Sequence, residues 1–266
     1  PWVYRSYRGR GVSLDYFPAS LSAWMQAVEA ELTPDQAPPI LAVYRFMLEH
    51  HDGVVAAASV LPPSSGLEDG EWNLATQNLL THLLAGNLAG CHEVAEEVAR
   101  DGGTLSDLFQ RIIRPAMVEV GARWERGEIT VAEEHLATAL VGRLMSQIYE
   151  KMPAPAIRRG HVVVTAAPNE YHDLGPRMVA DLLERDGWDA RYLGANTPTS
   201  ELVHVLAKAP PQALLVSVSL TFNLEAAAAL IQAVRDTPGL ERMRILVGGQ
   251  AFAFSADLWE RVGADA

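Results

Sequence analysis

Glu170, His172 and Gly175 have residue types and a spacing that suit a metal-containing ligand. A neutral imidazole is a good ligand for a transition metal, and it binds best when a carboxylate holds its other ring nitrogen. Glu170 precedes His172 by two residues and is the candidate for that carboxylate. A glycine at position 175 would let a large, flat ligand come close to the backbone. The motif E-x-H-x-x-G also fits a surface histidine in an ordinary loop, so its interpretation depends on the rest of the chain.

The elements around this motif are predicted from alternating apolar strands and amphipathic helices. Strands are expected at 161–165, 189–193, 213–217 and 244–248, and helices at 174–187, 198–208, 223–236 and 255–262. This alternation is typical of an α/β fold with a doubly wound parallel sheet and right-handed crossovers. His172 follows the first strand, so we expect it at the carboxyl edge of the sheet, where such folds bind their ligands.

Two further motifs follow later strands. Ser217 ends the third strand and Ser219 follows it, and Gly248 ends the fourth strand and Gly249 follows it. With E-x-H-x-x-G they resemble the D-x-H-x-x-G, S-x-L and G-G motifs of cobalamin-binding domains. The chain departs from that pattern by a glutamate at position 170 and by Ser219 in place of leucine. The longer side chain of Glu170 still reaches the imidazole ring.

The resemblance implies roles for these residues. His172 would replace the vitamin's own benzimidazole as the lower cobalt ligand, and Glu170 would orient its ring. The other motif elements would line a deep slot for the displaced nucleotide tail. The remaining residues expected around the cofactor are Asp173, Gly175, Ser217, Ser219, Thr221, Gly248 and Gly249.

Four helical segments are predicted before the sheet, at about 72–85, 87–101, 104–126 and 129–151. Their short connections indicate antiparallel neighbours and therefore a four-helix bundle. Pro115 lies inside the third segment and should kink or restart that helix.

Trp124, Val131, Glu134 and His135 form a second cluster of interest, at the start of the fourth segment. From the residues alone, Trp124 either fills the core of an ordinary bundle or faces a ligand. The pattern W-x9-E-H resembles the signature of adenosylcobalamin photoreceptors of the CarH type. That resemblance implies that the four residues contact or support an adenosyl group above the cobalt. In that family the residue after the tryptophan is a histidine that can take the upper cobalt position after photolysis, but here it is Glu125.

The first 71 residues lie outside these resemblances. Eight of the chain's 19 aromatic residues fall within the first 46 positions, interleaved with arginines, and helices are expected at about 20–32 and 38–51. The segment is either a helical extension that packs on the next domain or a pocket for a second flat, anionic ligand. Its architecture resembles the photocobilins, which combine a cobalamin module with a bilin. Noncovalent biliverdin binding would then involve Tyr4, Arg5, Tyr7, Arg8, Arg10 and Trp24.

Composition limits the remaining function classes. A formal net charge of −12 argues against direct binding of nucleic acid. No apolar run is long enough to span a membrane, so a cytoplasmic location is expected. The single cysteine, Cys91, excludes an intrachain disulfide. Hydrolase and nucleotide-triphosphatase motifs do not occur, so we expect a binding module and not an enzyme.

Three domains are therefore expected: a helical extension at 1–71, a four-helix bundle at 72–152 and a cobalamin-binding domain at 153–266. The resemblances imply a light sensor that binds adenosylcobalamin, or a corrinoid protein that carries methyl groups between enzymes. A methyl carrier must open the upper face of its cofactor to partner enzymes, whereas the W-x9-E-H residues would fill that face with groups suited to adenosine. This difference favours the sensor. Such a sensor is expected to form a homo-oligomer or to act on an output domain. The sheet pattern stops at Ala266, about one strand and helix short of closure, as in the sensory part of a longer protein or before a disordered end.

Overall fold

A computed structural model describes residues 2–60, 72–152, 156 and 159–266. The chain divides into two compact units, Pro1–Val141 and Gly142–Ala266. We call them the helical unit and the sheet unit. The three-domain division expected from the sequence stays a prediction.

The helical unit contains four helices before residue 61, which are α1 (Trp2–Gly9), α2 (Tyr16–Glu31), α3 (Ala37–Glu49) and α4 (His51–Val60). Only α2 and α3 correspond to predicted helices. Helix α1 has eight residues without a clear capping signal, and α4 follows α3 after the single residue His50, so neither produced a separate pattern. The aromatic side chains of α1 and α2 pack together: the Tyr4 and Phe17 rings are stacked with centroids 4.1 Å apart.

The predicted bundle helices are confirmed, as α5 (Asn73–Leu84), α6 (Leu88–Arg100), α7 (Leu105–Asp107), α8 (Arg114–Arg126) and α9 (Val131–Lys151). Their apolar stripes are buried, including Leu79, Leu83, Val94, Val98, Ile112 and Val120. Asn87 accepts a hydrogen bond from the Gly90 N–H and caps α6, and Thr104 and Asp107 form a capping box on α7.

The third predicted helix is interrupted, as Pro115 suggested. A π-helical stretch, Leu108–Ile113, separates α7 from α8, and Pro115 lies in the first turn of α8. Proline lacks an N–H and has a fixed φ, so it is tolerated at a helix start and not inside one. Helix α8 ends at Gly127, whose φ of 75° gives the left-handed turn that leads into α9.

The described residues of the sheet unit form four parallel strands, β1 (His161–Ala166), β2 (Asp189–Tyr192), β3 (Ala213–Ser217) and β4 (Arg244–Gly248), in the order β2-β1-β3-β4. The connecting helices are α10 (Leu174–Arg185), α11 (Thr199–Lys208), α12 (Leu224–Arg235) and the short α13 (Leu258–Arg261). The strand order reverses between β1 and β3, which makes the carboxyl ends of these two strands the topological switch point. The predicted parallel α/β fold is confirmed.

In the part of the chain that the structure describes, no helix combines the length and apolar character needed to cross a membrane.

Candidate functional site

Glu170 is fully buried at the switch point of the sheet, in the loop between β1 and α10. One of its carboxylate oxygens faces His172, and the other faces the loop after β3. Oε1 accepts from the His172 ring Nδ1 at 2.5 Å and from the His172 backbone at 3.2 Å, and Oε2 accepts from Ser219 N at 2.8 Å, Leu220 N at 3.1 Å and Asn223 Nδ2 at 3.2 Å. The carboxylate therefore ties the two loops at the switch point together.

The surroundings of Glu170 also fix its charge. Burial by itself raises the pKa of a carboxyl group. Here hydrogen bonds from the His172 ring, from the Asn223 amide and from two backbone N–H groups outweigh burial and lower the pKa to about 2. Glu170 is therefore an ionised acceptor at neutral pH.

His172 is positioned by this carboxylate. An ionised carboxylate can only accept, so Nδ1 of His172 carries the hydrogen. The ring is then in the tautomer whose Nε2 has the lone pair for a metal. The His172 side chain is 59% exposed, whereas the Glu170 side chain is 0% exposed. A solvent-facing imidazole is therefore hydrogen-bonded to a buried carboxylate.

The Ser217 and Gly248 motifs meet at the adjacent strand ends, because Ser217 pairs with Gly248 in the β3–β4 register. Gly249 has φ 103°, and a Cβ there would lie 2.3 Å from the backbone oxygen of Val218. Only glycine fits this position. A Cβ at Gly175 or Gly248 would meet no atom of the described residues within 4 Å, so space lies beside both backbones.

Trp124 and Val131 line one cavity in the helical unit. The cavity has a volume of about 410 Å³, and its other lining residues are Arg10, Gly127, Glu128, Ile129 and Thr130. The Trp124 Nε1 atom is buried and has no hydrogen-bond partner among the described residues. A buried donor of this kind is costly unless a partner is supplied, so it suits a ligand acceptor.

Glu134 lies one turn beyond Val131 on α9. It is not among the residues that line the cavity. Its carboxylate binds His135 Nδ1 at 2.6 Å and Thr138 Oγ1 at 3.0 Å. His135 therefore contacts Glu134.

Known families match both units. Residues 160–266 match the model of a family described as a B12 binding domain, and residues 75–149 match a second family with the same description. The chain carries the two domains of a cobalamin-binding protein. The helical match begins inside α5, so helices α1 to α4 lie outside both matches.

The relatives of this cobalamin-binding protein include methylamine corrinoid proteins and a transcriptional repressor. The dimethylamine corrinoid protein of Methanosarcina barkeri is 22% identical over 163 residues, 60% of this chain and 75% of that protein. The HTH-type transcriptional repressor CarH of Myxococcus xanthus is 36% identical over 95 residues, 35% of this chain and only 31% of that protein. The solved monomethylamine corrinoid protein of Methanosarcina barkeri shares the fold with a TM-score of 0.61 at 22% identity, over 74% of this chain and 92% of that chain.

The residues of the sheet unit fit cobalamin. A corrin brings its own ring nitrogens to the cobalt, so the protein would need to add a single donor, and the His172 imidazole would supply it. Its ring is oriented by Glu170 at 2.5 Å, and the backbone at Gly175 and Gly248 has space beside it. These are features that a flat macrocycle with an attached tail requires.

Three predicted site residues show no side-chain contact with the Glu170–His172 pair in the hydrogen bonds described. Two of them make backbone contacts, and the third is exposed. Ser219 contacts Glu170 through its N–H. The carbonyl of Asp173 accepts from the hydroxyl of Tyr192 at 3.1 Å. Thr221 is exposed at the start of a 3₁₀ turn.

Asn223 is a residue that the sequence reasoning missed. It is 2% exposed, and its amide donates both to Glu170 Oε2 and to the carbonyl of Asn169, each at 3.2 Å. The motifs named no partner for the second oxygen of Glu170. A buried carboxylate needs several hydrogen-bond donors, so the sequence alone could have indicated that a further polar side chain must face Glu170.

The N-terminal residues expected to bind a bilin are distributed over different contacts. Arg5 pairs with Glu125, Arg8 donates to Ser59 at 3.0 Å, and Arg10 contacts Ser6 and Trp124. Tyr4 and Tyr7 both contact Phe17, in an aromatic cluster of α1 and α2, while Trp24 is 59% exposed. All three arginines thus have partners within the helical unit.

Proposed function

We propose that this protein binds adenosylcobalamin through His172 and acts as a light sensor. The observation that best supports this function is the cavity that brings Trp124 and Val131 together in the helical unit. Its volume, about 410 Å³, falls in the range of small-molecule sites, and an indole ring is suited to stacking on a purine. A methyl group as upper ligand would need no such cavity.

The chain's own residues hold the cofactor and respond to its upper group. His172 is the lower ligand, and Glu170 keeps its ring in the coordinating tautomer. The Glu134 carboxylate, held by His135 and Thr138, retains acceptor capacity for ribose hydroxyls. When bound, adenosylcobalamin supplies a cobalt–carbon bond that light breaks. Trp124 lies in the last turns of α8. Loss of the adenosyl group from the face of its indole ring would therefore change how the end of that helix packs.

A corrinoid methyl carrier is the second candidate. It is favoured by the similarity to methylamine corrinoid proteins, which extends over 60% of this chain for one relative and 72% for another, against 35% for CarH. In either role the chain is a binding module and needs a partner, which is an output domain or second copy for the sensor and a methyltransferase for the carrier. Biliverdin as a second chromophore stays a prediction.

The upper ligand separates the two candidates. Calorimetry in darkness should show that adenosylcobalamin binds more tightly than methylcobalamin by about 10-fold or more, since about 1.4 kcal/mol of stacking and hydrogen bonding is enough for that factor. Trp124→Ala should remove most of the difference. Equal affinities for the two cofactors in both proteins would point to the methyl carrier.

A further inference from the structure

Helix α1 packs against the end of α8 through two glycines. A Cβ at Gly9 would lie 2.6 Å from the backbone carbon and oxygen of Arg126, and a Cβ at Gly127 would lie 2.2 Å from the backbone oxygen of Gly9. Real Cβ atoms do not approach backbone atoms this closely, so both positions require glycine for this contact. The contact fixes α1, which precedes both family matches, directly on the helix that carries Trp124.

Two arginines add side-chain contacts to consecutive residues of α8. Arg5 forms an ion pair with Glu125 in which both side chains are less than one-fifth exposed. Arg10 donates to the carbonyl of Trp124 at 3.2 Å, and its guanidinium carbon lies 4.3 Å from the centre of the indole ring. Glu125 stands where the CarH type has a histidine.

Arg10 is itself held in place. Its Nη1 donates to the carbonyl of Ser6 at 2.8 Å and to the hydroxyl of Ser6 at 2.7 Å, and Ser6 is 6% exposed. A planar guanidinium can make these bonds and cover an aromatic face at the same time, which a lysine ammonium cannot do. Arg10 therefore links a buried point of α1 to both the backbone and the ring of Trp124.

We propose that α1 sets the preference of the helical cavity for a nucleoside upper group, with Arg10 as the positioning residue for Trp124. This inference rests on the proposed binding of adenosylcobalamin. An indole ring that is already held in one orientation loses less conformational freedom when a purine stacks on it, so binding is tighter. A methyl upper group has no ring to stack, and its affinity is independent of how Trp124 is held.

The test is calorimetry of the full chain with adenosylcobalamin and with methylcobalamin, in darkness. Arg10→Ala should weaken adenosylcobalamin binding by about 10-fold, as expected for about 1.4 kcal/mol, and leave methylcobalamin binding unchanged. Arg10→Lys should restore little of the adenosylcobalamin affinity, because lysine keeps the positive charge but lacks the planar guanidinium with its several N–H donors. Arg45→Ala is the control: Arg45 is an exposed arginine on α3, and it does not line the cavity.

A second pair of variants moves α1 without removing a charge. Gly9→Ala forces the two backbones apart and should cause the same selective loss. Gly53→Ala adds the same methyl group in α4, where no described atom lies within 4 Å, and should bind both cofactors as the wild type does.

The outcomes distinguish this inference from the function on which it rests. If the wild type binds both cofactors equally, the proposed function fails. If the wild type prefers adenosylcobalamin and Arg10→Ala and Gly9→Ala keep that preference, the function stands and the role of α1 is wrong. Equal weakening of both cofactors would also overturn it, since that would mean only a general loss of structure.

Discussion

At the residue scale, the pair Glu170–His172 explains why a glutamate can stand where the family motif has aspartate. The longer side chain reaches the imidazole with one oxygen and the N–H groups of the β3 loop with the other. Two loops that carry separate motifs are thereby joined through one buried charge. The amide of Asn223 completes its set of donors.

Replacing His172 should remove the imidazole that we propose as the cobalt ligand. The absorption spectrum of His172→Ala with cobalamin should lack the histidine-bound form, and affinity should fall, because the exposed imidazole is the donor that the site offers. The control is His204→Ala, an exposed histidine on α11. A variant with the wild-type spectrum and affinity would show that another group binds the cobalt.

Replacing Glu170 should have a smaller effect. Glu170→Gln introduces an amide donor where every neighbour donates, so cobalamin affinity measured by calorimetry should fall by about 10- to 100-fold, as for other groups that orient a metal ligand. Glu225→Gln, an exposed glutamate on α12, should bind normally. Unchanged affinity of Glu170→Gln would mean that the ring needs no such support.

Asp181 on α10 should make the stability of the sheet unit depend on pH. Burial, reinforced by the charge of Glu184 and opposed by that of Arg177, raises the pKa of Asp181 to about 6, and its Oδ2 has no partner among the described residues. The pKa of Asp181 is higher in the folded protein than in the unfolded chain. Its contribution to stability is therefore fully present below about pH 4 and is lost as the pH rises through about 6.

Asp181→Asn removes this ionisation. Its advantage in unfolding free energy over the wild type should grow between about pH 4 and pH 8 by about 1 kcal/mol, after allowance for solvent screening of a partly buried group. Thermal unfolding at the two ends of this range measures it. A difference that does not change with pH would contradict the raised pKa.

At the element scale, the sheet unit was predicted well and the N-terminal helices poorly, for a physical reason. Strands β1, β3 and β4 contain apolar runs between turn residues, as parallel strands usually do, and each of the four strands was predicted to within one residue. Helix α1 owes its place to packing: Gly9 fits against Arg126, and Arg10 lies over Trp124. Contacts between positions more than 100 residues apart leave no local periodicity.

The same limit applies to the site. Local motifs carry His172 and Trp124, so the sequence predicts both as site residues. Asn223 and Arg10 reach their partners only through the fold, and their spacing along the chain gives no indication of it.

The bilin prediction belongs to the N-terminal elements. Biliverdin titration of the full chain should develop a structured red absorption band if α1 and α2 hold this chromophore, since arginine and aromatic rings complement its propionates and π-system. The double variant Arg8→Ala, Trp24→Ala should weaken the band, because both residues are exposed and neither contacts Trp124. An unchanged or absent band would leave the N-terminal segment with a packing role.

At the scale of the whole molecule, the chain has two units, and each carries features of its own. The sheet unit contains the Glu170–His172 pair, and the helical unit contains the cavity at Trp124. A sensor requires that loss of the upper group alters the helical unit, whereas a carrier requires only that the upper face be accessible to an enzyme.

Hydrogen–deuterium exchange of the protein loaded with adenosylcobalamin, before and after illumination, tests this requirement most directly. We expect faster exchange after light in the last turn of α8, in the turn to α9 and in α1, and no such change in the methylcobalamin-loaded protein. Cofactor photolysis with identical exchange in darkness and light would contradict a light sensor.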